Sequence, residues 1–147
     1  MKRRIHAIAG MIGFLVILAF WTSTVISELF GSAQVIAQVK STILLGMLVL
    51  IPSMAFAGAS GMSMGARRKD APARAKKKRM PLIAANGLLV LLPSAVFLDA
   101  RASSGNFDTL FYVVQCVELL VGAVNLTMMG LNIRDGRRMS RRRRSMS

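Results

Sequence analysis

Few residues in this chain could do chemistry. Its 147 residues include only six acids, one histidine and one cysteine. Glu118 is set apart, because it is the one acid inside a long apolar window, residues 109 to 133. Phe111, Gln115, Glu118, Gly122, Asn125 and Met129 follow one another at steps of three and four, which keeps them on a single face of an α-helix. An ionisable group in hydrocarbon costs several kcal/mol unless it is paired or neutral. Glu118 is therefore expected either as a proton- or cation-coupling carboxylate or quinone-headgroup ligand, or as hydrogen-bonded glue between helices. With no Lys or Arg expected at its depth, it should be neutral. It would then donate to Gln115, to a threonine of the first helix, or to a carbonyl freed by a proline. Asn86, Ser53 and Ser94 complete the polar groups expected within apolar stretches.

His6 offers a second chemistry. Several methionines should reach the same end of the molecule, among them Met62, Met64, Met80, Met128 and Met129. Imidazole and thioether ligate haem iron, and thioethers suit Cu(I). One histidine rules out bis-histidine haem ligation within a subunit. No cofactor is predicted; a haem or copper site on His6, Met128 and Met129 is the subordinate reading. Cys116 reads as a small buried apolar residue. Gly-rich phosphate loops, paired Cys or His ligands, Ser-His-Asp sets and paired intramembrane carboxylates are all missing from the sequence, so it is read as non-enzymatic.

Positioning these groups falls to helices. The chain is 54% hydrophobic yet carries a net charge of +14, and its mean hydropathy is +0.52. The two properties are segregated, as apolar spans separated by basic segments require. Four windows supply the roughly 18–20 residues an α-helix needs to cross about 30 Å of hydrocarbon. The expected fold is an all-α integral membrane four-helix bundle over residues 1–133, with spans near 6–27, 39–60, 81–99 and 108–131. A basic loop, 61–80, and a basic disordered tail, 134–147, complete the chain. His6, Gly10, Gly13, Ile17, Phe20, Thr24 and Ser27 form a small-residue face on the first span, suited to close approach by the polar seam of the fourth.

Of twenty Lys and Arg residues, only Lys40 and Arg101 fall on the side opposite the termini and the 61–80 loop. Both termini are thus expected in the cytoplasm, the protein lying in the inner (plasma) membrane. A cleaved signal peptide at the first span is the competing expectation, weakened by its length and by Glu28. Arg67, Arg68, Lys69, Lys76, Lys77, Lys78 and Arg79, with Arg141, Arg142, Arg143 and Arg144, are expected to contact anionic lipid headgroups or an acidic partner. They lack the interleaved aromatics that nucleic-acid binding favours. Function is therefore read as a structural or accessory subunit of a larger membrane complex or homo-oligomer. A small proton- or cation-coupled transporter using Glu118 is the alternative, and a redox-cofactor protein the second.

One pattern remains. Residues 46–56, GMLVLIPSMAF, and 87–97, GLLVLLPSAVF, match at seven of eleven positions. They link the second and third spans, not the first with the third, so a duplicated transport unit is not reproduced. Pro52 and Pro93 are instead expected to kink their helices and free the carbonyls of Leu48 and Leu89 near Glu118.

Overall fold

A computed structural model describes the backbone of residues 2–65 and 71–144, and the side chains within them except at 2–4, 62, 64, 65 and 139–144. Every regular element among them is helical: α1 (Lys2–Phe30), α2 (Ala33–Gly65), α3 (Ala71–Asn86), a π-helical turn (Gly87–Leu91), α4 (Leu92–Ser103) and α5 (Thr109–Arg144). Since α3, the π turn and α4 run on without a break, the chain forms four long rods. Each is long and apolar enough to cross a membrane.

Local chemistry sets the turns. Ser32 caps α2, its hydroxyl accepting from the Val35 N–H at 3.4 Å, and Gly31 N–H bonds Ser27 O at 2.8 Å. Two residues therefore suffice to reverse the chain between α1 and α2. At the end of α4, Gly105 takes φ +72°, a left-handed conformation glycine adopts without steric cost. Gly105 N–H bonds Ala102 O at 3.0 Å and Asn106 N–H bonds Arg101 O at 2.9 Å, the paired bonds of a Schellman cap. Asp108 then starts α5 by accepting the Phe111 N–H at 2.9 Å, while Arg101 holds its other oxygen at 2.7 Å.

These turns place two ends on the molecule. At the hairpin end, Ile36, Leu98, Ala102 and Phe111 form one core cluster, with Phe107 edge-on to Phe111 at 5.0 Å. Deeper in, Ile17, Ile43, Met47, Leu50, Ile83, Ala95 and Met129 form the second. The start of α1, the end of α2, the start of α3 and the end of α5 share the opposite end. Much apolar surface faces outward, including Leu45 and Leu120 at 68% exposure and Leu48 at 72%.

Three boundaries depart from expectation. The second rod starts at Ala33, six residues before 39, because Ser32 caps it early. The segment 61–80 is not mainly loop: α2 continues to Gly65 and α3 resumes at Ala71. Pro72 falls in the first turn of α3, where a missing N–H costs nothing, and Ala, Lys and Arg carry the helix onward. Nor is 134–147 all disordered. α5 extends through Arg144, since arginine propagates a helix already nucleated at little cost. Arg67, Arg68 and Lys69, and the side chains of Arg141, Arg142, Arg143 and Arg144, lie outside the described residues.

Candidate functional site

Lys40 is the eighth residue of α2 and Glu118 the tenth of α5, so the two lie at similar depth below the hairpin end. Lys40 is 1% exposed, and its Nζ donates to Glu118 Oε2 at 3.0 Å. Gln115 Nε2 donates to the same oxygen at 3.1 Å. Glu118 is therefore not an isolated acid. The expectation failed because a second span starting at 39 leaves Lys40 on the rim, whereas the longer α2 carries it inward. Its four-carbon stem then lies among apolar groups while its ammonium reaches the carboxylate.

Two more groups join this centre. Glu28, third from the end of α1, is close enough to feel the charges of both Lys40 and Glu118. Its Oε1 is buried and finds no hydrogen-bond donor among the described residues, and neither does Gln115 Oε1. Beside the carboxylate of Glu118 lies a cavity of about 40 Å³, walled by Ile17, Phe20, Trp21, Thr24, Ile43, Leu91, Leu119 and Gly122. Trp21 closes one wall, and its Nε1–H donates to Leu119 O at 2.9 Å. On the hairpin side, Ser41 Oγ donates to Asp99 Oδ1 at 2.6 Å, joining α2 to α4.

The other expected residues are distributed differently. Asn86 Nδ2 donates to Asn125 Oδ1 at 3.1 Å, and Asn125 Nδ2 to Ile83 O at 3.3 Å. This clamp fastens α3 to α5 and leaves both asparagines apart from the Lys40–Glu118 pair. Ser53 turns back on its own helix to Val49 O at 2.8 Å, and Ser94 is buried on α4. Pro52 and Pro93 face outward, as do Leu48 and Leu89, at 72% and 75% exposure. The freed carbonyls thus do not serve Glu118. Around Pro93 the backbone instead widens into the π turn, where Leu92 N–H reaches back five residues to Gly87 O, which makes room for the proline ring.

At the terminal end, His6 is fully engaged. Lys76 Nζ lies 3.0 Å from His6 Nε2. An ammonium only donates, so Nε2 accepts and Nδ1 carries the proton. Nδ1–H then donates to Ser60 Oγ at 2.9 Å, and Ser60 donates to Phe56 O at 2.6 Å. Met129 is buried in the apolar core, with Met128 packed against it. No cluster of three His, Cys, Asp or Glu residues suited to a metal forms among the described residues. Arg79 pairs with Asp135 at 2.8 Å and also reaches Asn132 Oδ1 at 3.4 Å, tying α3 to α5. Cys116 is exposed on α5, contrary to the buried position expected, because it lies off the inward seam.

Lys40, Glu28 and Trp21 were missed by the sequence reading. A weak signal existed: Glu28 and Lys40 flank one two-residue turn and are the charged residues nearest it on each side. Fold and site together define a helical protein of four rods, each able to span a membrane, with a charged pair closed between α2 and α5. No family model, curated protein or solved structure matches the chain.

Proposed function

We propose that this is a small multi-pass protein of the inner (plasma) membrane, with both termini and the 61–80 segment cytoplasmic, serving as a non-catalytic structural or accessory subunit of a membrane assembly. The observation that carries this reading is the closure of the polar centre. Lys40 and Gln115 both donate to Glu118 Oε2, fastening α2 to α5, and the neighbouring cavity of about 40 Å³ admits a few waters at most. Such a centre fastens helices rather than receiving a substrate. The outward apolar faces suit acyl chains or the helices of a partner. The concentration of cations at the terminal end suits the anionic cytoplasmic leaflet.

A carrier coupled to protons or cations is the second reading, favoured by the two acceptor oxygens that lack donors, Glu28 Oε1 and Gln115 Oε1. Both ring nitrogens of His6 are hydrogen-bonded, so this histidine would have to give up one of those contacts to ligate haem iron or copper. Gentle extraction from native membranes followed by mass spectrometry tests the accessory reading. A protein partner in fixed stoichiometry is expected. A chain that elutes alone, and drives pH-dependent solute uptake into vesicles that Glu118→Gln abolishes, would replace it with the carrier.

A further inference from the structure

We propose that the Glu28–Lys40–Glu118–Gln115 centre is a proton-binding site, in which the carboxylate of Glu28 takes one proton from the water at the hairpin end. The proposal does not depend on the accessory role.

Charge is the first ground. Lys40 of α2 pairs with Glu118 of α5, which leaves Glu28 of α1, near enough to feel both charges, as a second carboxylate beside a single ammonium. The other charged groups toward this end are already engaged: Asp99 accepts from Ser41, and Arg101 pairs with Asp108. With Glu28 ionised, one negative charge at the centre is uncompensated, which a weakly polar interior penalises. Binding one proton cancels it.

Hydrogen bonding is the second ground, and it is independent of charge. Gln115 is only 3% exposed, and its amide orientation is set because Nε2 donates to Glu118 Oε2. The opposite amide atom, Oε1, is consequently an acceptor buried without a donor, and Glu28 Oε1 shares that condition. Both vacancies call for a hydrogen, and further acceptors would not fill them. A proton on Glu28 converts one vacant acceptor into a donor.

Access is the third. Glu28 lies two residues from the end of α1, whereas Lys40 and Glu118 lie about two turns or more inside their helices. Of the three, Glu28 is therefore the group from which a proton exchanges with bulk water, Lys40 and Glu118 forming the fixed pair behind it. In the binding step H⁺ leaves water and adds to the Glu28 carboxylate, giving the neutral acid, and no other bond changes.

The test uses a reporter already in place. Trp21 is the chain's one tryptophan and lines the same cavity as Glu118. The full-length protein in lipid nanodiscs, titrated over roughly pH 4 to 9, should show one transition in tryptophan emission, accompanied by an infrared carboxylic-acid band on the acidic side. Glu28→Gln should abolish both. Glu118→Gln, which balances Glu28 against Lys40, should abolish both as well and keeps the test open if the first variant misfolds. His6→Gln, at the far end of α1, should leave the transition in place. The proposal fails if the wild type shows no transition, if the transition survives in well-folded Glu28→Gln, or if replacing choline by sodium displaces it, since a metal cation would then be the ligand.

Discussion

At the scale of single residues, Lys40 is held in the apolar interior by Glu118. A buried ion pair adds little net stability over apolar groups of the same size, but removing one partner strands the other charge. Lys40→Met should therefore destabilise the bundle by about 3–5 kcal/mol, and Lys40→Met combined with Glu118→Leu should recover most of that loss. Unfolding in mixed detergent micelles, run as a double-mutant cycle, measures the coupling directly. If the double variant is no better than the single, the pair is not what retains Lys40 in place. Its partnership could not be read in the sequence, because the residues are 78 positions apart and helical periodicity does not say which face of one helix meets which face of another. The polar seam of α5 was legible, since Phe111, Gln115, Gly122, Asn125 and Met129 need only helical periodicity to share a face, and all are buried.

At the scale of elements, the two similar segments solve different problems. A Cβ placed on Gly46 would overlap the Phe20 ring, whereas one on Gly87 meets nothing within 4 Å. Gly46 is thus a contact between α1 and α2, while Gly87 opens the π turn. Gly46→Ala should cost about 1–3 kcal/mol through overpacking. Gly87→Ala should be neutral or gain up to about 1 kcal/mol from helix propensity. Thermal melting of both variants in detergent separates the two roles, and equal effects would contradict this assignment. The sequence displays the shared Gly and Pro-Ser residues but not their neighbours, and neighbours decide what a glycine is for. Helix extents were also only partly legible. Apolar windows mark the apolar core of each rod, but the caps at Ser32 and Asp108 set where α2 and α5 begin, and the helix-forming arginines beyond residue 133 carry α5 past its apolar window.

At the scale of the whole molecule, the four rods are fastened at three levels. Toward the hairpin end, Ser41 joins Asp99 and Lys40 joins Glu118. In the middle, Asn86 and Asn125 clamp α3 to α5. At the terminal end, His6, Lys76 and Ser60 link α1, α3 and α2, while Arg79 and Asp135 link α3 to α5. All five fastenings cross between segments far apart in sequence, which is why all-α architecture was readable and the pairing of faces was not. α5 takes part in one fastening at every level.

The hairpin of α1 and α2 has a consequence for how the molecule is made. During synthesis Lys40 leaves the ribosome 78 residues ahead of Glu118, so on the membrane reading proposed above it would enter the bilayer before its final counter-ion exists. Glu28, across the two-residue turn, is the nearest acid in the sequence that could accompany it until α5 supplies Glu118. On this view the last helix completes the charge balance of the first two. A nascent chain stopped before residue 109 should retain an incompletely neutralised lysine and be cleared quickly. Pulse-chase measurement should give it a shorter half-life than the full chain, and Lys40→Leu in the same truncated chain should lengthen that half-life.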